Sequence, residues 1–483
     1  MSRSIRVALA LVLGLLAEAA LFTLSGSELV PVIAPVIAML SLGLVAYLLA
    51  AQGDGTAPLE VGTMYCAVVL IYGLYPLVAY LVLGGLYTPI SDARLFGAQP
   101  DPETVGRLAW YYFIYLASFM VAYFATRRGA AGSHVVVRQP LDSATLVSLV
   151  ASVLALRAVL LVAIVMFADA APDDYLATYT RFNHLPLLAQ QLLAHASGMV
   201  LFLEIALMVV LAQQWLRFRW IIILWIAAEF AMTAGGLGAR TELFVLVLAA
   251  LLARQLLFRR ARTFTVAAIG SVALVAFAAL GVVRALGEFA SEAGPLGVGS
   301  ASEFDSLFAN AYDIDRMTGS GEIDRAGISG MIYFGDILAL VPQQVLGTEK
   351  FSVATWYVTT YYPEFADAGG GLAFGAIAES LAGAGIVDLV WRAALVGFLF
   401  GWAHRYVMLH PATTWRTALY VWLVCFSYQA FRSTTLALLP VIFFRVLPGM
   451  GMIALIALLL RGTGRGGRDR VADARPASAA RGS

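Results

Sequence analysis

Residues 264–283, FTVAAIGSVALVAFAALGVV, form an unbroken apolar run of twenty residues without a charged side chain. A helix of this length extends about 30 Å, which is the hydrocarbon thickness of a bilayer. Arg259, Arg260 and Arg262 stand just before the run, and Arg284 follows it directly. The pattern predicts a membrane-spanning helix whose first residue lies on the basic, cytoplasmic side.

Similar runs recur along the whole chain. Of its 483 residues 61% are hydrophobic and 13% are charged, whereas soluble domains have about 45–50% and about 25%. The sequence therefore predicts an all-α polytopic membrane protein with about 12 transmembrane helices. The apolar runs lie near residues 7–24, 30–50, 60–86, 107–125, 143–168, 192–212, 219–234, 241–258, 263–283, 383–403, 414–431 and 436–460. We interpret the first run as an uncleaved transmembrane helix and not as a signal peptide, because further predicted spans follow it closely.

The arginines are distributed unevenly between the two ends of these spans. Basic residues concentrate in cytoplasmic loops of membrane proteins. Both termini are therefore predicted in the cytoplasm, and the protein in a bacterial inner membrane. With this orientation the cytoplasmic side holds Arg3, Arg6, Arg127, Arg128, Arg138, Arg217, Arg219, Arg254, Arg259, Arg260, Arg262, Arg405 and the arginines after Leu460.

The predicted spans divide the chain into four regions. Residues 1–284 hold transmembrane helices 1–9, and residues 285–382 form a long periplasmic loop with surface and re-entrant helices. Residues 383–461 hold transmembrane helices 10–12. Residues 462–483 form a low-complexity, disordered cytoplasmic tail.

Two segments of the long loop have helical character. MIYFGDILALVPQQVLG, residues 331–347, repeats apolar residues at helical spacing and predicts a helix on the membrane surface. AFGAIAESLAGAG, residues 373–385, follows a glycine hinge at 369–371. Because this segment is too short to span a bilayer, it predicts a re-entrant or tightly packed helix.

Three arginines are predicted at the periplasmic ends of helices, although basic residues generally concentrate on the cytoplasmic side. Arg240 precedes one span and Arg284 ends the next, so a helical hairpin places them side by side, while Arg432 ends a later span on the same face. A guanidinium stays charged and binds phosphate oxygens through two parallel hydrogen bonds. The three predict a pyrophosphate site without a metal. The alternative is that each arginine extends to the lipid interface.

Glu379 is the candidate catalytic residue. It lies among alanines and glycines, and an apolar setting raises the pKa of a carboxyl group, which suits a general base. The alternative is a structural partner to an arginine. His184 and Asp305 are the next candidates for the base.

The remaining charged residues are interpreted as structural or solvated. Asp388 and Arg392 are four residues apart on one helix and are expected to pair. Charges inside spans are expected to pair within the bundle, and these are Arg157, Glu204, Glu229 and Arg445. Outer acidic residues in polar context are expected to be solvated, namely Asp305, Asp313, Glu364 and Asp367.

No metal or cofactor is expected. The five histidines show no metal-ligand spacing, and His134, His404 and His410 fall in cytoplasmic loops. Cys66 and Cys425 lie in apolar runs as small hydrophobic residues. The chain has no phosphate-binding loop of the ATPase type, and its net charge of +1 gives no indication of nucleic acid.

Three stretches resemble bacterial O-antigen and oligosaccharide repeat-unit polymerases of the Wzy type. TAGGLGARTELFVLVLAALLARQLL, residues 233–257, is similar to that family's Gly-x-Arg-x-Glu/Gly start of a long apolar helix. VPQQVLGTEKF with GGGLAFGAIAESLAGAGIVDLVWRAALVGFLFGWAHRY resembles its pattern of Ile-Pro-Arg, Lys-Pro, Ala-Glu and a Gly-x-x-Gly helix. FRSTTLALLPVIFF, residues 431–444, matches its late Arg-Gly/Ser helix start. The chain departs from the pattern at Gln343, where the family has arginine, and at Phe351, where it has proline.

The resemblance implies an oligosaccharide substrate linked to undecaprenyl pyrophosphate on the periplasmic face. It implies transfer of one glycan from its carrier to a sugar hydroxyl of another repeat unit, with a flippase and a chain-length regulator as partners. Glu379 would serve as the base. The pyrophosphate-binding set would be Arg240, Arg284, Arg432 and Lys350.

Other functions fit the sequence less well. An O-antigen ligase is expected to use an outer-loop histidine, and residues 285–382 contain none. A glycosyltransferase with an acidic motif in the first outer loop would find only Glu28 there. A transporter or flippase remains as a non-enzymatic alternative, although no internal repeat is visible.

Overall fold

The structure is a computed structural model in which a subset of the chain is described. The described residues are 29–51, 60–83, 101–128, 143–168, 187–234, 240–257, 301–341, 343–346, 350–363, 366, 373–410, 413–452 and 454–455.

Within those residues all regular secondary structure is helical. The helices are α1 Val30–Ala51, α2 Val61–Leu83, α3 Pro102–Arg127, α4 Ser143–Ala168, α5 Leu187–Ala212, α6 Trp215–Ala234, α7 Arg240–Leu257, α8 Ala301–Ser320, α9 Arg325–Leu338, α10 Gln343–Leu346, α11 Val353–Tyr361, α12 Ala376–Ala382, α13 Ile386–Leu409, α14 Thr414–Phe426, α15 Gln429–Arg432 and α16 Leu438–Val441. A π-helical turn, Ile442–Val446, continues α16.

Five of the described helical segments are long and apolar enough to cross a membrane. They are Val30–Ala50, Val61–Val82, Pro102–Arg127, Leu192–Ala212 and Ile386–Leu409. The coarse prediction of a helical, membrane-embedded protein is supported by these segments. The count of about 12 spans stays a prediction, since runs 7–24 and 263–283 lie outside the described residues.

Helices α3 and α13 form the central pair and run parallel. Gly397 packs on the Phe119 carbonyl and Gly401 on the Tyr123 carbonyl, so a side chain at either glycine would overlap backbone. Small residues at such positions let two helices approach closely. Helix α1 also runs parallel to α3, because Gly106 packs against Pro31 while Arg127 donates to the carbonyl of Leu49.

Helix α2 runs opposite to α3 and completes the core of this bundle. Its Gly62 lies against Tyr123, and Gly73 lies against Tyr112. Aromatic rings fill the interior between α2, α3 and α13, and the hydroxyls of Tyr65 and Tyr115 share a hydrogen bond of 2.6 Å. The hydroxyls of Tyr65 and Tyr115 thus serve as polar partners for each other, which lowers the cost of burying them.

The packing of helix α8 contradicts the expectation that Asp313 is solvated. The side chains from Leu307 to Asp315 are all buried, packed toward α12, α2 and α3. Asp313, expected to be solvated, is 3% exposed and accepts a hydrogen bond of 2.9 Å from the Tyr357 hydroxyl. Asp315 pairs with Arg107 at 2.7 Å. Remote partners compensate these carboxylates for lost water.

Candidate functional site

Helix α12 places Glu379 in the interior. Gly375 precedes the helix with a φ of +92°, a conformation that favours glycine. The amide of Gly375 donates to the Ser433 carbonyl at 3.0 Å, which anchors the start of the helix. All seven residues of α12 are buried, and Glu379 is 1% exposed. The predicted tightly packed short helix is therefore confirmed.

Glu379 is held on both carboxylate oxygens. Its Oε2 accepts from the amide of Thr435 at 2.8 Å and from that residue's hydroxyl at 2.7 Å. Its Oε1 lies 3.0 Å from Nη1 of Arg392. Thr435 begins the turn that leads into α16, so the carboxylate satisfies an amide of that turn.

Arg392 forms ion pairs with two further carboxylates. Its Nη1 lies 3.0 Å from Oδ2 of Asp336 on α9, and its Nε donates to Oδ2 of Asp388 at 2.8 Å. The Tyr333 hydroxyl donates to the other oxygen of Asp388 at 2.6 Å, and the guanidinium lies over the Tyr333 ring. We call this group the Arg392 cluster, and it consists of Arg392, Glu379, Asp336, Asp388, Tyr333 and Thr435.

The Arg392 cluster contains more acid than base. Three carboxylates face one guanidinium, and Nη2 of Arg392 is buried without a hydrogen-bond partner in the described part of the chain. Burial raises the pKa of Glu379 to about 7, although Arg392 opposes that shift. Burial also raises the pKa of Asp336. A carboxyl group with a pKa near neutrality can accept a proton from a reacting hydroxyl and later release it.

The predictions for this site have different outcomes. The pairing of Asp388 with Arg392 is confirmed, and so is the shielding of Glu379. The alternative interpretation of Glu379, as partner to an arginine, also describes its contact with Arg392. Asp336 could not be predicted as a member of this group from the sequence, because it lies 43 positions before Glu379 and 56 before Arg392 on a different helix.

The proposed pyrophosphate-binding residues are only partly described. Arg432 ends α15, three residues before Thr435, and is partly buried. Arg284 and the side chain of Arg240 lie outside the described residues, so the convergence of three arginines stays a prediction. Lys350 donates to the Ala339 carbonyl at 3.3 Å, just beyond the end of α9, and burial lowers its pKa.

Several other predicted positions also fall outside the description. These are the glycine hinge at 369–371, the tail at 462–483, His184, Glu364, Asp367 and the side chains of Asp305 and Gln343.

A second buried ion network joins α4, α5 and α6. Arg157 lies 2.6 Å from Glu204 through Nε and 2.6 Å from Glu229 through Nη2. We call these three residues the Arg157 triad, and their predicted pairing is confirmed. The same expectation was wrong for Arg445, which has no carboxylate within ion-pair distance among the described residues.

A third polar group lies toward the end of α13 and was missed from the sequence. His404, predicted in a cytoplasmic loop, is fully buried within α13, and its Nδ1 lies 2.7 Å from the Tyr420 hydroxyl. Glu60 pairs with Arg127 at 3.0 Å and lies 3.8 Å from Nε2 of His404. These residues are remote in sequence, so no local pattern links them.

Comparisons with known proteins add no assignment. No family model, no curated protein and no solved structure matches the chain. In the described part of the chain, no three His, Cys, Asp or Glu side chains are placed to hold a metal ion.

Proposed function

We propose that this protein polymerises oligosaccharide repeat units linked to undecaprenyl pyrophosphate, at the periplasmic face of a bacterial inner membrane. The observation that carries the proposal is the meeting of two remote segments at Glu379. Residues 369–406 and 431–444 both resemble the Wzy-type polymerases, and Glu379 of the first binds Thr435 of the second.

The cluster supplies a base that suits glycosyl transfer. Glu379, with a pKa of about 7, takes the proton from the acceptor hydroxyl. The acceptor oxygen forms the new bond to the anomeric carbon, while the bond from that carbon to the pyrophosphate oxygen breaks. Both electrons of the broken bond leave with the pyrophosphate. In this proposal Arg240, Arg284, Arg432 and Lys350 stabilise the departing charge, so no metal is required.

Helix α9 would act as a cover over the base. Tyr333 and Asp336 on this helix contact Asp388 and Arg392, and Glu379 beneath them is closed to solvent. The opposite side of α9 exposes Met331, Phe334 and Ile337 at helical spacing. Such an apolar side suits a helix lying in the membrane interface. Movement of α9 would open a path for the acceptor sugar to Glu379.

The test is deletion of the gene, followed by complementation and a gel of the surface glycan. With polymerase activity lost, the polymer ladder disappears and single-unit material remains. Complementation with wild type or with Glu322→Gln, an exposed control carboxylate at the end of α8, should restore the ladder. Glu379→Gln should not. Loss of all exported glycan on deletion would indicate a flippase instead, and an intact ladder in the deletion strain would refute the proposal.

A further inference from the structure

Arg445 is a partly buried arginine in an irregular helical turn. It lies within the π-helical turn Ile442–Val446, a distortion that is frequent at functional sites. Its side chain crosses α5 at Gly198, where an added Cβ would overlap Cδ of Arg445. Glycine at position 198 therefore leaves the room that this arginine occupies.

The charge of Arg445 has no compensation in the part of the chain that the structure describes. No carboxylate there lies within ion-pair distance of it, whereas Arg157, also next to α5, has two glutamate partners. A charged side chain within a membrane segment is unfavourable unless it is paired, and such residues commonly mark binding sites. Within the described residues, pairing with a carboxylate therefore does not explain the position of Arg445.

His195 provides a second polar group at the same place. It stands three residues before Gly198, so both face the same side of α5. Its ring stacks on Phe444, with 5.5 Å between the ring centroids. A positive charge on the protonated imidazole would be repelled by the guanidinium of Arg445. The Nδ1 atom of His195 is buried and has no hydrogen-bond partner among the described residues. Two groups that can donate hydrogen bonds therefore lie together, and the described residues supply no acceptor for them.

The depth of Arg445 and His195 in the bilayer indicates which kind of ligand they would bind. Gly198 is six residues inside the segment Leu192–Ala212, which places it about 9 Å below the start of that segment. An arginine side chain can extend from this depth toward the lipid headgroups. Arg445 and His195 are each only partly buried, so part of both side chains lies at the surface of the bundle. An anion that arrives from there is the phosphate of a lipid.

We propose that Arg445 and His195 bind the phosphate group of a membrane lipid. The guanidinium offers two parallel hydrogen bonds to phosphate oxygens, and the imidazole offers a third donor. Both the phosphate of a bilayer phospholipid and the pyrophosphate of a polyprenyl carrier have this chemistry. The site does not depend on the polymerase activity proposed above.

Native mass spectrometry of the full-length protein in a non-ionic detergent tests the site. Phosphatidylglycerol and undecaprenyl pyrophosphate are titrated separately, with diacylglycerol as a lipid without phosphate. Arg445→Gln should weaken binding of a phosphate lipid about tenfold, the loss of about 1.4 kcal/mol. Arg445→Lys should weaken it less, because the charge remains while the paired hydrogen bonds are lost.

Two further variants keep the test decisive if Arg445→Gln does not fold. Gly198→Ala displaces the arginine side chain without changing the charge, and His195→Phe preserves the ring packing while removing both nitrogens. Both should weaken phosphate-lipid binding, and Arg219→Gln, a control at an exposed arginine of α6, should not.

The two probes separate the two sources of phosphate. Weaker binding of both lipids identifies a general headgroup site, and weaker binding of the pyrophosphate alone identifies a carrier site. Unchanged affinity for both lipids in folded Arg445→Gln, or in both Gly198→Ala and His195→Phe, would overturn the proposal. Equal binding of diacylglycerol by the wild type would overturn it too.

Discussion

The Arg392 cluster and the Arg157 triad each pair one guanidinium with buried carboxylates, yet they differ in the ratio of acidic to basic groups. Arg157 has two glutamates, one from α5 and one from α6, at 2.6 Å each. Arg392 has three carboxylates, and one of its terminal nitrogens has no partner in the described residues.

The two networks also differ in the elements that build them. Long apolar helices supply all three members of the triad, whereas the Arg392 cluster draws Glu379 from the seven-residue α12 and Asp336 from the amphipathic α9. Short elements rearrange more easily than long packed helices. The difference indicates that the triad holds the bundle together. In the proposed reaction, the cluster would be the network that changes its protonation and its contacts.

The largest expected effect is that of Arg392→Met. The substitution leaves three carboxylates without their cation, and two of them, Glu379 and Asp388, are buried. Breaking a buried ion pair in this way typically lowers the free energy of unfolding by about 3–5 kcal/mol. Thermal unfolding in detergent would measure the loss, and the polymer ladder should vanish. Arg157→Met serves as the matched comparison and should destabilise the protein by a smaller amount. A larger loss in Arg157→Met would break the proposed contrast between the two networks.

Glu379→Gln should separate activity from stability. The amide keeps the shape and an acceptor for Thr435 but removes the base, so the rate of polymer synthesis should fall about 10²–10⁴-fold at similar protein level. The measurement is glycan synthesis normalised to the amount of membrane protein. Glu204→Gln, the triad counterpart, should lower the unfolding temperature while activity per folded molecule persists. An unaltered ladder in Glu379→Gln would make Glu379 structural.

The cluster should also respond to pH between about 4.5 and about 7. The pKa of Glu379 is raised from 4.5 to about 7, so the folded protein holds a proton that the unfolded chain releases. The resulting stability is fully present below pH 4.5 and is lost as the pH rises through 7. Activity should change in the opposite sense, because the ionised base becomes available. Unfolding temperatures and rates measured across this range should flatten in Glu379→Gln, and an unchanged profile would contradict the assignment.

The smallest effect is expected from Gly383→Ala. An added Cβ at this position would overlap the Asp388 carboxylate, and forcing that carboxylate to move should lower the free energy of unfolding by about 1–3 kcal/mol. Gly330→Ala on α9 is the control, because nothing lies within 4 Å of an added Cβ there. Chemical denaturation of the two variants gives the comparison. Equal stability of both would show that the cluster tolerates displacement of Asp388.

Local sequence patterns predicted part of the site. The spacing of Asp388 and Arg392 predicted their pair, because residues four apart share a helix face. The alanines and glycines around Glu379 predicted its burial. Asp336 and Thr435 were not predicted as partners, since their contacts join segments far apart in the chain. Asp313 was predicted to be solvated because its neighbours in the sequence are polar. The packing of α8 instead buries its carboxylate, which accepts a hydrogen bond from the Tyr357 hydroxyl.

The sequence by itself determined the helical, membrane-embedded character of the protein. Long apolar runs leave a helix as the structure that satisfies their backbone hydrogen bonds in lipid, and this requirement is local. Only the tertiary structure decided which charges meet. Arg157 forms ion pairs with two glutamates and Arg392 with three carboxylates, while Arg445 forms none with the described residues. Helix directions and close packing at glycines such as Gly198 set those distances, and neither is encoded by the neighbours of a charged residue in the chain.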